Sequence, residues 1–272
     1  MPCFFVCPKC GSPLTETEKT WSCPNRHSYD RAKAGYTNLL PPSGHHDHGD
    51  DRAMVRSRRA FLESGAYDCL SDAVNDAAAL LLPKTPSVLD AGCGEGYYTA
   101  RLLRTLTEQA FSPRIAAVDL SKDALTAAAK RSREISWAAA SVYALPVADA
   151  SVDLVLNVFS PLAHDEYLRV LKPGGLFFYA VPLPEHLFSL KAAVYDKPYE
   201  NPVVSADFAG FSLIERREIR SDFLLPDTQS VLDLFTMTPY YHKTSPADLQ
   251  KLNAISSLAV TAAFALLIYR KN

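Results

Sequence analysis

Apolar positions along the chain follow two periods, and the switches between them outline an alternating order of strands and helices. Short, nearly continuous apolar runs at 88–91, 115–119, 135–139, 152–159 and 176–181 read as buried strands of a parallel sheet. Between them the spacing changes to i, i+3, i+4. Residues 68–82 read as a helix ended by Pro83, and 97–107 as a second. Ser121 caps a third through Arg133, and 164–171 form a fourth. The run L-K-P-G-G at 171–175 is expected to turn the chain into the strand at 176, and Pro184 to start another helix. Residues 211–220 and 263–270 are expected to close the sheet as an antiparallel pair. The pattern predicts an α/β fold with one open, mostly parallel sheet.

The stretch V-L-D-A-G-C-G-E-G-Y-Y at 88–98 sits where a strand passes through a tight turn into a helix. At such a point an open α/β sheet binds nucleotide-like ligands. Gly92, Gly94 and Gly96 let the backbone turn sharply and a ligand approach closely. A dinucleotide fingerprint is G-x-G-x-x-G; here the pattern is G-x-G-x-G, with Glu95 inside it. That carboxylate would repel a pyrophosphate, but it suits S-adenosylmethionine, which has no phosphate and carries a sulfonium and an ammonium. Asp119 ends the next strand, where an acid can accept hydrogen bonds from both ribose hydroxyls. Asp90, the three glycines, Glu95 and Asp119 are thus the candidate cofactor residues. An ordinary strand–turn–helix without a ligand explains fewer of these features at once. The combination resembles the class I S-adenosylmethionine-dependent methyltransferases.

The first forty residues form a separate unit. Cys7 and Cys10 are followed by Cys23 and His27, with twelve residues between the pairs and three between Cys23 and His27. Two pairs on tight turns across a short hairpin are what tetrahedral zinc requires. So small a segment has little core of its own, and the metal would supply much of its folding energy. Of the six cysteines, four lie in the first 23 residues, with no secretory leader ahead of them. This predicts a reducing, cytoplasmic setting and a metal site rather than disulfides. Cys3 is a spare thiol. His45, His46, Asp47 and His48 lie in a linker and read as a solvated loop in preference to a second metal site.

Net charge is −2, which excludes a global basic field. Residues 1–60 nevertheless carry nine Lys/Arg against six Asp/Glu, with Arg52, Arg56, Arg58 and Arg59 on one predicted helix. These arginines read either as a phosphate-docking patch or as a solvated helix face. The apolar run at 254–269 is shorter than the ~20 residues of a membrane span and reads as a helix end followed by a buried strand.

Taken in order, further short motifs join these. They are G-Y-x-N-L-L-P (35–41), G-D (Gly49, Asp50) with R-R-A-F-L, G-x-Y (65–67), L-P (145–146), H-L at His186 and M-T-P (237–239). By them the chain resembles the RlmA-type guanine-N1 methyltransferases of large-subunit ribosomal RNA along nearly its whole length. The resemblance implies a Rossmann-like class I methyltransferase sheet with a small N-terminal zinc-ribbon-like domain. It divides the chain into a zinc-binding RNA-recognition domain (1–40), a linker with the start of a basic helix (41–60) and the methyltransferase domain (61–272). It implies S-adenosyl-L-methionine and zinc as cofactors, a 23S rRNA hairpin as substrate, no membrane and a homodimer. Cofactor contacts fall on Tyr67, Gly94, Glu95 and His186, and zinc ligands on Cys7, Cys10, Cys23 and His27. No catalytic base is implied; His164 and Asp165 follow the central strand but suit helix capping. The linker departs from the basic one of some relatives, and the stretch 157–161 varies among them, so the target nucleotide stays open. Two other readings are a small-molecule methyltransferase with a structural zinc unit, and a non-enzymatic zinc-ribbon RNA binder.

Overall fold

The computed structural model describes residues 2–41 and 49–272, with side chains from Phe4 onward. The four linker residues His45–His48 and the Cys3 thiol therefore lie outside the described part. Strands β1 (Pro2–Val6), β2 (Pro13–Glu16), β3 (Thr20–Ser22) and β4 (Ser28–Asp30) form a four-stranded antiparallel sheet in chain order. After the short β5 (Thr37–Asn38) come helices α1 (Arg52–Glu63) and α2 (Asp68–Leu81). The alternating part follows: β6 (Ser87–Ala91), α3 (Tyr97–Glu108), β7 (Arg114–Asp119), α4 (Lys122–Arg131) and β8 (Ser136–Ala139). It continues with β9 (Val152–Val158), α5 (His164–Val170), β10 (Leu171–Pro182) and α6 (Phe188–Val194). β11 (Phe211–Leu225), α7 (Thr228–Thr236), a 3-10 turn at Tyr241–Lys243, α8 (Pro246–Leu252) and β12 (Leu258–Lys271) complete it.

The large sheet has eight strands in the order β11-β12-β10-β9-β6-β7-β8-β5. Strand order reverses beside β6, which lies between β9 and β7, and both pairings are parallel. The crevice beyond the carboxyl ends of β6 and β9 is thus the topological switch point, the place for a ligand in such a sheet.

Side chains alternate across the sheet and build a core on each face. Val88, Ile115, Ala117 and Phe178 face one side with the apolar stripes of α2 and α3. Leu89, Ala116, Val118, Phe177 and Tyr179 face the other, in the same cluster as Phe5, Cys7, Leu14, Trp21 and Leu39 of the N-terminal unit. The metal-motif unit therefore shares a core with the main sheet. β5 pairs in parallel with β8, Leu39 N–H donates to Ala139 O at 2.9 Å, and Val6 N–H donates to Pro146 O at 2.8 Å. Helix α1 continues past residue 60 and is N-capped by the Asp51 carboxylate.

Four sequence expectations need correction. L-K-P-G-G is not a plain helix-to-strand turn but an irregularity inside β10. Leu171 pairs with Val152, the register then jumps to Leu176 with Leu154, and Gly174 takes a left-handed φ of 73° to absorb the difference. No helix starts at Pro184. The chain turns instead, with Leu187 left-handed at φ 56°, and α6 begins at Phe188; the turn is what brings His186 inward. The closing pair is longer than the pattern suggested, running from Phe211 opposite Lys271 to Leu225 opposite Leu258, and α7 and α8 connect its strands. The apolar run at 254–269 holds, as read, a strand whose middle is fully buried, but no helix end: α8 stops at Leu252 and a turn leads into β12. Among the described residues no helix is long and apolar enough to cross a membrane.

Candidate active site and metal centre

Two knuckle turns carry the four N-terminal ligand candidates. In the first, Gly11 N–H donates to Cys7 O at 2.8 Å with Gly11 at φ 69°; in the second, Arg26 N–H donates to Cys23 O at 3.0 Å with Arg26 at φ 63°. One donor atom from each of Cys7, Cys10, Cys23 and His27 lies within 4.8 Å of every other. Cys10 Sγ and Cys23 Sγ are 3.7 Å apart, and His27 Nδ1 is 3.4 Å from Cys7 Sγ and 3.5 Å from Cys23 Sγ. A tetrahedron with ~2.3 Å metal–sulfur bonds has edges of roughly this length, so the set fits zinc. The thiols are unpaired, and hydrogen bonds from Ser12 and Asn25 pull Cys10 down to about 5, toward the thiolate that a metal needs. Behind them Trp21 stacks on Phe5 at 5.4 Å.

At the switch point the glycine loop is held by carboxylates from two strands. Asp119 Oδ2 accepts from Gly94 N–H and Oδ1 from Ser121 N–H, both at 2.8 Å. Each oxygen keeps one lone pair for a ribose hydroxyl. Asp90 is buried and accepts from the Thr99 hydroxyl; burial pushes its carboxyl up to about 7, Thr99 opposes this and Asp119 adds to it. All three loop glycines have left-handed φ, but their surroundings differ. A Cβ on Gly96 would sit 2.8 Å from Trp137 and 3.0 Å from Ala128, and one on Gly92 would strike the Ser160 side chain. On Gly94 the nearest atom would be Arg58 Nη1 at 3.6 Å. Gly92 and Gly96 are thus required by packing, whereas Gly94 lines the open side.

Glu95 is placed differently from what its loop position suggested. Its carboxylate is buried against the Arg131 guanidinium, with Nε and Nη2 donating at 2.7 and 2.8 Å. The ion pair neutralises it, so any part it takes in holding a cofactor would come through its backbone.

Tyr67 and His186 come together from far apart in the chain. His186 Nδ1 accepts from Ala263 N–H at 3.1 Å, so a neutral ring carries its proton on Nε2, 3.3 Å from the Tyr67 hydroxyl. Burial, with the Lys191 charge, holds this imidazole down to about 3 and keeps it neutral. Phe264 packs on both rings at 4.8 Å. Phe159 follows β9 with φ 57° and keeps 43% of its surface exposed beside them. The result is a neutral aromatic wall with one open member, the kind of surface that attracts a sulfonium or takes a stacked base.

The N-terminal residues 5–46 match the model for the RlmA N-terminal zinc ribbon, and residues 88–175 match a methyltransferase domain model. A Micromonospora griseorubida protein assigned to the 23S rRNA (guanine-N(1)-)-methyltransferases is 32% identical over 97% of this chain and 96% of its own. A Bacillus subtilis protein with the same assignment is 30% identical, with 98% and 97% covered. The 23S rRNA (guanine(748)-N(1))-methyltransferase of Streptomyces fradiae is 35% identical over 70% and 68%. The chain belongs to the RlmA family. It is accordingly a methyltransferase that uses S-adenosylmethionine and carries a Cys3His zinc-ribbon unit. The cleft residues fit that cofactor on two counts. The Gly94 side is free of side-chain atoms to 3.6 Å, and the Tyr98 hydroxyl, in the first turn of the helix that follows the loop, is buried without a hydrogen-bond partner among the described residues.

In this RlmA-family chain the arginine cluster of α1 is largely engaged. Arg52 pairs with Asp123 at 3.0 Å, Arg59 with Glu63 at 2.8 Å, and Arg58 with Asp50. Arg56 alone of the four is exposed with no partner among the described residues. Most of the candidate phosphate patch is thus an ion-pair lattice between the linker exit, α1 and α4. His164 donates toward Asp165 at 2.9 Å and Ala209 O at 2.8 Å, which raises its pKa through the carboxylate and uses both ring nitrogens. It does not cap α5 as its position suggested: Ala163 is the N-cap, with no side-chain cap bond, and His164 instead ties the first turn to Ala209. Sequence reasoning missed Arg131 as the partner of Glu95 and gave Arg58 no part at the glycine loop. The signal for Arg58 was available, since it falls on the apolar stripe of α1 with Met54, Val55, Phe61 and Leu62.

Proposed function

We propose that the chain transfers the methyl group of S-adenosylmethionine to N1 of a guanine in a hairpin of 23S rRNA. The observation that carries this reading is likeness over both units at once. Relatives assigned to that activity match 96–97% of their own length, zinc ribbon included. A small-molecule methyltransferase would need no such ribbon. The α1 arginines, mostly paired, add little to the argument either way.

On this reading residues 1–40 recognise RNA, 41–60 link and 61–272 carry the chemistry, with a homodimer acting in the cytoplasm. The cofactor supplies an electrophilic methyl on a sulfonium. Tyr67 and His186 would face that cation with neutral aromatic surfaces, Asp119 would hold the ribose, and Asp90 and the glycine loop would shape the floor. Phe159, exposed and held by a left-handed backbone, would stack on the extruded guanine and set N1 in line with the methyl. N1-methylation blocks Watson–Crick pairing, so primer extension on treated, unmodified 23S rRNA reads it directly. A cofactor-dependent reverse-transcription stop at one hairpin guanine is expected. Uninterrupted extension, with label in small metabolites instead, would favour the small-molecule reading.

A further inference from the structure

The motif pair G-D with R-R-A-F-L, the G-x-G-x-G loop and M-T-P are far apart in sequence, yet they meet at one side chain. Arg58 leaves the buried stripe of α1 and reaches over the glycine loop, where Nη1 is the atom nearest to a Cβ built on Gly94, at 3.6 Å. It is fixed from two sides, by an ion pair with Asp50 and by donation from Nη2 to Met237 O at 2.9 Å. Asp50 is in turn held at the ribose end, because Ser121 Oγ donates to its carbonyl at 2.6 Å. Gly49 permits this approach: it is left-handed, and a Cβ there would lie 3.1 Å from Ser121. An arginine has five N–H donors; Asp50 takes one from Nη1 and Met237 O one from Nη2, which leaves three, one of them on the Nη1 that faces Gly94. The Tyr98 hydroxyl, carried by the first turn of α3 directly after the glycine loop, is the unpartnered buried donor already noted.

The charges around the cleft say what the fork is for. Asp90 and Asp119 are anionic or buried acids on the floor, suited to an ammonium and to hydroxyls. Glu95 is consumed by Arg131, which also faces Glu63 at 3.4 Å. Arg58 is the cation that acts on Asp119. A cofactor with a carboxylate would enter a negative field unless a cation received that group.

We infer that Arg58, assisted by the Tyr98 hydroxyl, binds the carboxylate of the methionine moiety of S-adenosylmethionine. Asp50 and Met237 O are positioning groups that aim the fork. The inference rests on the cofactor assignment and is independent of what the methyl acceptor is.

Calorimetry on the purified, zinc-loaded chain tests it with two probes, S-adenosylmethionine and its decarboxylated form, which lacks only the carboxylate. Arg58→Ala should weaken the first by roughly 10- to 100-fold, as loss of charge-assisted hydrogen bonds implies, and leave the second within about threefold. Arg58→Lys should fall between, having charge without the fork. Tyr98→Phe, which removes one oxygen and cannot unfold α1, should cost S-adenosylmethionine about three- to tenfold and the decarboxylated form nothing. Equal losses for both probes would mean that Arg58 is only a clamp between Asp50 and Met237. Unchanged affinities, with weaker binding of 23S rRNA, would mean that it reads a phosphate. Either result overturns the inference, while failure to methylate rRNA would leave it standing.

Discussion

At the scale of residues, packing requires Gly92 and Gly96 while Gly94 lines the open side of the cleft, and substitution should expose the difference. Gly96→Ala puts a methyl between Trp137 and Ala128 in a left-handed conformation. It should cost about 2–4 kcal/mol in urea unfolding, from overpacking plus backbone strain. Gly94→Ala meets only an ordinary contact with Arg58 Nη1 at 3.6 Å, so it should cost only about 1–2 kcal/mol of strain while lowering cofactor affinity. Equal destabilisation by the two would contradict the assignment. Asp90 adds a pH dependence. Its folded pKa, about 7, is raised above the unfolded value by burial, so its contribution to stability is full below pH ~4 and lost as pH rises through 7. Asp90→Asn should remove up to about 4 kcal/mol of that decline. Urea midpoints at pH 5 and pH 8 check it, and an unchanged difference between them would show that the carboxyl is not strained by burial. The glycines, Asp119 and the Cys3His set were legible because local turn chemistry and spacing determine them. The roles of Glu95 and Arg131, 36 residues apart, depend on a contact that no local pattern encodes.

At the scale of elements, the N-terminal unit is bolted to the loop after β8. Val6 holds Pro146 O, Leu39 holds Ala139 O, and the ribbon's apolar side chains share a core with the sheet. Metal loss should therefore be felt at residues 139–147. Cys23→Ser is expected to release the bound zinc and raise deuterium uptake in that loop as well as in 1–40. It should also weaken S-adenosylmethionine roughly fivefold, a cost of about 1 kcal/mol. Unchanged exchange at 139–147 would show that the ribbon folds and unfolds on its own. Helix α1 offers a second check. With Arg52 and Arg59 tied to Asp123 and Glu63, Arg56→Ala should flatten the salt slope of RNA binding by about one unit. Arg52→Ala should change it less, because exposed pairs are worth at most about 1 kcal/mol and keep the side chain engaged. Equal effects would restore the phosphate patch. Strands and long helices were readable from period alone. The turn at 184–187 and the irregular start of β10 were not, since proline and glycine there mark a bend without saying which element follows.

At the scale of the molecule, the sheet order and its switch point put the glycine loop, Asp119, the Tyr67–His186 wall and Phe159 around one crevice. A parallel α/β sheet was predictable from strands alternating with helices. That β5 would extend its edge, and that the zinc ribbon would pack on its face, was not, because parallel pairing across a hundred residues leaves no local trace. In the proposed function this frame carries two chemistries in series, a ribbon that would recognise the RNA and a crevice that would methylate it. Nucleoside analysis by mass spectrometry, after incubating the zinc-loaded chain with S-adenosylmethionine and unmodified 23S rRNA, tests this most directly. One equivalent of N1-methylguanosine per rRNA is expected, lost when Phe159 is replaced by Ala or zinc is removed. Methyl groups on another guanine position, on another base, or on no nucleoside at all would contradict it.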